Sequence, residues 1–337
     1  MARFVLRRFL ISIVLLVVAS FLCFLLVQAL GDPIAEWAAG QRQRNPNGAD
    51  AAIAAAYQRA GLDQPLLTRY WQWLTGFVGG DWGTTVNPGQ TAQEVEPKVM
   101  HSLWITIRLV LGAELLAIAL GAVVGVISAV KRYSWFDYVL TAFSFLMFAL
   151  PLFCVAVLLK IGGINFNNFL QANGMDRWLV TSGYPPGGFT GSFWNQAYQY
   201  IGVYLLPTLT LMAISFALYA RYQRSSMLDV LGSDYIRTAY AKGLTNQRVI
   251  WKHAFRNALI PLVTVGSLQV GAVFAGAIIT ETVFGWQGMG YILVQNVNRK
   301  EPYMILAWMM VVAVFVILFN LIADIAYTLL DPRIRLD

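Results

Sequence analysis

The chain has 337 residues, of which 58% are hydrophobic and only 12% charged, against roughly a quarter charged in an ordinary soluble domain. Its apolar residues come in long blocks with few charges, which excludes a pair of soluble domains and points to one integral membrane domain. The net charge of +7 sits mainly on basic residues flanking those blocks, and no nucleic acid is expected as a partner.

Six blocks are long enough to cross a lipid bilayer as helices: 9–30, about 103–130, 138–159, 200–220, 258–280 and 304 to about 330. A helix of about 20 residues spans the roughly 30 Å hydrocarbon layer and satisfies its own backbone there. A barrel would show weaker alternating segments instead. The first block follows Arg7-Arg8, as in a secretory or twin-arginine signal peptide. It is longer than a usual signal core, and no convincing small-residue cleavage site follows at Val27-Gln28-Ala29, so an uncleaved first helix is expected.

With the amino terminus inside, the cytoplasmic flanks collect 14 of the 24 Lys and Arg residues and the outer segments 8, while Arg108 and Lys160 lie within or beside spans. Positive charge is retained on the cytoplasmic side, so both termini are expected there. The expected divisions are an amino-terminal flank and first helix over 1–30, an extracytoplasmic loop region over 31–100, a membrane domain over 101–330 and a cytoplasmic tail over 331–337.

In the first outer region, 41–48 reads as a turn or flexible loop, and the alanine-rich 49–56 as a short helix reaching Ala60 before Gly61. Trp37, Trp71, Trp73 and Trp82 suit either the outer membrane interface or a protein contact. The second outer region, about 162–199, holds Asn165, Asn167, Asn168 and the turn-forming Tyr184-Pro-Pro-Gly-Gly. Its polarity and breakers argue against a continuous span.

Cys23 and Cys154 both fall in spans, and His101 and His253 belong to segments on opposite sides of the membrane. Neither a disulfide framework nor a shared metal site is expected. Glu114, inside the second span, is costly to bury and either lines an aqueous path or pairs with another helix. Arg108 lies six positions away, off the same helical face. The chain has no G-x-x-x-x-G-K-[ST] loop to cradle nucleotide phosphates, so ATP-driven work would need another subunit to bind the nucleotide and its Mg. No cofactor is expected in this chain.

Between the fourth and fifth blocks lies a charged, helix-capable insert, 234–261. Residues 234–242 can form about two helical turns, with Ser233 or Asp234 as N-cap and Gly243 at the position after the cap. Ile236, Ala239 and Tyr240 follow helical spacing beside Arg237. Such a helix fits either a groove on a cytoplasmic partner or an anionic lipid surface.

The order Asp234-Tyr235-x-Arg237-Thr238-Ala239-x-Ala241-Lys242-Gly243-Leu244, followed by His253-x-x-Arg256-Asn257-Ala258-x-x-Pro261, resembles the cytoplasmic EAA loop of binding-protein-dependent ABC importer permeases, in its peptide-permease branch. Arg237-Thr238-Ala239 stands where the general motif has Glu-Ala-Ala, and Pro261 lies 18 positions after Gly243, further than in the general pattern. Other stretches resemble the same branch: Gly31-Asp32-Pro33, 61–66, Tyr70 with Trp73-Leu74, 80–84, 281–286 with Gly288-Met289-Gly290, Asp324 and Asp331-Pro332-Arg333.

The resemblance implies an all-α, six-helix type I importer permease with a coupling loop over 221–258. Asp234, Tyr235, Arg237, Thr238, Ala239, Lys242 and Gly243 would couple it to an ATPase. The implied partners are a second homologous permease subunit, one or two ABC ATPase subunits that bind ATP and Mg, an extracytoplasmic binding protein and the bilayer, and the implied cargo is short peptides. Nickel chelates and glutathione suit the same machinery. An ion-coupled secondary transporter would instead use Glu114 and Asp324 as proton or cation sites.

Overall fold

A computed structural model describes residues 2–45, 47–88, 91–184 and 189–330, except the side chains of 2–6, 267, 268, 270, 272–276 and 323–330. The tail over 331–337, the side chain of Asp324 and the breakers at 185–188 lie outside the described residues.

The described backbone is helical: α1 Ala2–Ala29, α2 Ala35–Arg44, α3 Ala49–Arg59, α4 Leu66–Gly79, α5 Val95–Val130, α6 Trp135–Ala149, α7 Leu152–Ala172, α8 Phe193–Leu231, α9 Asp234–Ala241, α10 Asn246–Arg248, a π-helical segment Val249–Ala254, α11 Phe255–Phe284, α12 Met289–Asn298 and α13 Pro302–Leu330. Among the described residues, α1, α5, α7, α8 and α13 contain stretches long and apolar enough to cross a membrane. The 30-residue α11 covers the remaining expected span apart from the third.

The third span differs from the continuous helix expected over 138–159. Leu150 is extended (φ −87°, ψ 126°) and Pro151 follows with φ −59°, ψ 141°, because a proline ring drives the residue before it out of the α region. The long helix here is therefore α7, which carries Asn165, Asn167 and Asn168 on a helix and not in a loop. Asn167 is buried but satisfied. Its amide donates to the Leu179 carbonyl at 2.7 Å, and its oxygen accepts from the N–H groups of Leu179 and Trp178 at 3.0 and 3.2 Å.

Two compact units emerge, one from Met1–Ile105 with Gln287–Ile317, the other from Thr106–Trp286 with the chain from Leu318. In the first, the expected outer loop is largely helical. Residues 41–44 belong to α2, and the alanine-rich helix forms as α3. Ile34, Ala38, Ala49, Ile53 and Ala56 make its small apolar core. Asp32 fixes the entry to α2 by accepting from the Ile34 N–H at 2.8 Å. Tyr57 donates its hydroxyl to the same carboxylate, which pushes the phenol pKa up.

A second core in this unit joins Phe24 and Val27 of α1, Tyr70 and Trp73 of α4, and Ile305, Leu306 and Met310 of α13. Trp73 is thus a core residue and not an interfacial one. Trp71 is exposed, and Trp82 stacks on Phe77 with ring centroids 4.7 Å apart. Glu301 is buried and accepts from the N–H groups of Val86 and Asn87 at 2.8 and 3.1 Å.

The second unit is a helix bundle in which α11 packs on α7 and α8, and α8 on α6 and α7. Glycines mark a close approach of α5 and α8. A Cβ on Gly125 of α5 would lie 2.6 Å from the Ala220 carbonyl oxygen, and one on Gly121 2.7 Å from the Tyr219 Cβ. Small residues let two backbones approach where apolar lipid supplies no hydrophobic driving force.

Candidate coupling site

The insert between α8 and α11 folds as a short helix over the residues its sequence indicated, α9. Ser233 has the extended backbone of an N-cap (φ −76°, ψ 153°). Its hydroxyl, however, donates to the Val230 carbonyl at 2.5 Å and does not cap α9. At the other end Lys242 is the C-cap, and Gly243 follows at φ +77°, the left-handed turn that glycine adopts without a Cβ penalty.

Two of the three stripe residues point inward, whereas Tyr240 is exposed. Ile236 and Ala239 are 1% and 7% exposed and join a core with Val126 and Ala129 of α5, Met227 of α8, Val249, Ile250 and Ala254 of the π segment, and Ala258 of α11. The protein's own helices thus cover Ile236 and Ala239. Ala239 is therefore a seating residue.

The outward face carries Asp234, Tyr235, Arg237, Thr238 and Lys242, all exposed. Arg237 and Asp234 approach to 3.5 Å across one turn, both largely in solvent, a pairing of little energetic weight. Tyr235 is held by the Asn257 amide, which donates to its hydroxyl at 2.9 Å. Tyr240 donates to Asn246 at 2.7 Å, bracing α9 against α10. A rigid inner face and a polar, hydrated outer face suit a contact with a water-exposed protein surface.

The sequence reading missed a cluster at the α5–α6 turn. Asp137, in the first turn of α6, is buried and accepts from Arg224 Nε at 2.6 Å and Nη2 at 2.8 Å. It also accepts from the Ser128 hydroxyl at 2.5 Å and the Tyr133 N–H at 2.9 Å. Tyr133 is a non-glycine residue at φ +61°, a conformation costing roughly 1–2 kcal/mol that the carboxylate helps to hold. The available signal was an aspartate entering an apolar stretch, where an ionisable group needs a partner. Nothing in local spacing pointed to Arg224, 87 residues away.

Glu114 is buried and both its oxygens are occupied. Ser215 donates to one at 2.7 Å and Tyr219 to the other at 2.6 Å. It links α5 to α8. Asp324 lies on α13 in the backbone. The residues expected to couple to an ATPase thus gather on α9 and its cap, whereas Glu114 is held separately on α5. Among the described residues no three His, Cys, Asp or Glu side chains gather as a metal site.

The fold is similar to a solved inward-facing structure of the MetNI methionine ABC transporter, with a TM-score of 0.52 and 15% identity over 69% of this chain and 96% of that one. The oligopeptide transport system permease protein OppB of Mycobacterium tuberculosis (strain ATCC 25618 / H37Rv) is 36% identical over 99% of both chains. The glutathione transport system permease protein GsiC of Salmonella typhimurium is 35% identical over 99% of both, and the oligopeptide transport system permease protein AppB of Bacillus subtilis 34% identical over 99% of this chain and 100% of that one. Residues 1–93 match the amino-terminal membrane-component model of binding-protein-dependent transport systems. Residues 121–336 match the model of their inner membrane component. With these matches and its several apolar helices, the chain belongs to the family of binding-protein-dependent transport system inner membrane components and is a multi-pass inner membrane protein.

Proposed function

We propose that this chain is one permease subunit of an ATP-driven importer of short peptides, with both termini cytoplasmic. It works beside a second homologous permease subunit and ATPase subunits that bind ATP and Mg, and it receives cargo from an extracytoplasmic binding protein. The observation that carries the coupling role is α9 itself: a helix seated on three spans by Ile236 and Ala239, presenting Asp234, Tyr235, Arg237, Thr238 and Lys242 outward. Gly243 ends that helix and turns the chain back towards α11.

The ATPases would close on nucleotide, displace α9 and shift the bundle between inward and outward access by rigid-body rearrangement. A peptide reading is supported by the full-length likeness to OppB and AppB. The nearly equal likeness to GsiC makes glutathione the competitor to include.

The test is reconstitution of the complete transporter in proteoliposomes. Cysteines replacing Tyr235 or Thr238 should cross-link to the ATPase subunit, and a peptide-loaded binding protein should stimulate ATP hydrolysis and uptake. Stimulation by glutathione alone would reassign the cargo. Absence of any ATPase cross-link would remove α9 from the coupling role.

A further inference from the structure

The apolar core that seats α9 draws its buried members from α5, α8, α9, the π segment and α11, and none from α6. Yet α6 is tied to α8, one turn before Met227 of that core, by Arg221 and Arg224. The Arg221 guanidinium sits over the rings of Phe145 and Phe148, 5.0 and 5.3 Å from their centroids. One turn later Arg224 grips Asp137 with two parallel bonds.

Asp137 joins more than a pair. Its two carboxylate oxygens accept from Arg224 on α8, Ser128 on α5 and the Tyr133 backbone in the α5–α6 turn, which uses the acceptor capacity of a carboxylate. With its side chain 3% exposed, no bulk water stands ready to replace a lost partner. Separating a buried, hydrogen-bonded ion pair leaves an uncompensated charge. Such a fork is therefore a fixture and not a contact that opens and closes with each cycle.

We propose that the Asp137–Arg224 ion pair is the joint through which movement of α9 reaches α6, so that α6, the end of α8 and the coupling helix travel as one body during transport. The inference rests on the reading of α9 as the ATPase-docking helix. Asp137 and Arg224 are positioning residues: neither belongs to the outward face, and they act by fixing which helix follows the coupling helix when it is displaced.

The test uses the complete transporter with Cys23 and Cys154 replaced by alanine and spin labels on Trp135→Cys and Gln247→Cys, two exposed positions on α6 and just beyond α9. With the ion pair intact, the distance between labels should be the same in the nucleotide-free and ATP-trapped states. Asp137→Asn should make the two states differ, and should lower ATPase stimulation by loaded binding protein about tenfold, with basal hydrolysis and assembly retained. Arg224→Lys, which keeps the charge and loses the fork, should fall between them.

A label distance that changes between states with Asp137 intact would overturn the proposal, as would Asp137→Asn behaving like the parent chain. If Asp137→Asn does not assemble, the distances in the intact chain decide alone. Failure of α9 to cross-link to the ATPase would sink the docking reading instead, and the label distances would register that case separately.

Discussion

The Lys160 ammonium, carried inside the apolar helix α7, donates a hydrogen bond of 2.5 Å to the carbonyl oxygen of Val283. Val283 lies in the last turn of α11, whose terminal carbonyls lack intrahelical donors. The Phe284 carbonyl next to it accepts from the Gly183 N–H at 2.7 Å. A lysine within an apolar helix is thus spent on a helix C-terminus, where a cation is favoured by the helix dipole.

Lys160→Met keeps the apolar stem and removes the donor. A hydrogen bond to a charged group contributes about 1.5–3 kcal/mol, so the variant should unfold at lower temperature in detergent than the parent. Lys160→Arg should recover most of the loss. Equal melting of the methionine variant and the parent would show that this contact carries no stability.

The glycines of α5 make a paired prediction. Gly125→Ala places a Cβ within 2.6 Å of the Ala220 carbonyl oxygen, and overpacking of this kind costs about 1–3 kcal/mol. Gly112, on the same helix, has open space within 4 Å of the corresponding position. Gly112→Ala should be neutral or gain up to about 1 kcal/mol from helix propensity. Thermal unfolding of the two variants should therefore shift in opposite directions or differ clearly in size.

Glu114 separates two classes of transporter. Glu114→Gln keeps the shape and can still accept from one hydroxyl and donate to the other, so an ATP-driven permease should retain most of its uptake. Glu114→Ala leaves the buried hydroxyls of Ser215 and Tyr219 without their partner, at a cost of about 1–3 kcal/mol. Complete loss of uptake in Glu114→Gln, with normal assembly, would favour an ion-coupled role. The assay is uptake at fixed ATP with and without a proton gradient.

Glu301 is expected to govern the order of the outer segment near Val86. Glu301→Ala removes the acceptor for two backbone N–H groups. Hydrogen exchange at Val86 and Asn87 should then accelerate more than exchange in α3, because Val86 only flanks the α2–α3 core of Ile34, Ala38, Ala49, Ile53 and Ala56.

Gly243→Val should disturb coupling without blocking membrane insertion. Open space surrounds the position, so the penalty is the backbone conformation itself, about 1–2 kcal/mol for a residue held left-handed, and more for a β-branched one. Asparagine, which visits that region more readily, should retain more activity. Substrate-stimulated ATPase measured on the assembled complex would rank glycine above asparagine above valine.

The apolar blocks and the capped insert were legible because both are local: hydropathy and turn chemistry depend on neighbouring residues. The α6–α7 break was written in Leu150-Pro151 but was overridden by the continuous apolar run. The direction of the α9 stripe was not legible, since Ile236 and Ala239 look the same whether their cover comes from this chain or another. The Asp137–Arg224 and Lys160–Val283 contacts join residues 87 and 123 positions apart, a relation only the folded bundle creates.

The π segment Val249–Ala254 gives the extended spacing between Gly243 and Pro261 a mechanical meaning. A π turn holds more residues than the α turn it replaces, so added chain is absorbed as width and α11 need not be set out of phase. Each α-helical residue turns the chain by about 100°. Removing one residue here would therefore return the segment to an α turn and draw in Val249, Ile250 and Ala254, the part of the seat of Ile236 and Ala239 that it supplies. The wide turn thus leads directly into α11 while its own residues Val249, Ile250 and Ala254 stay packed under α9.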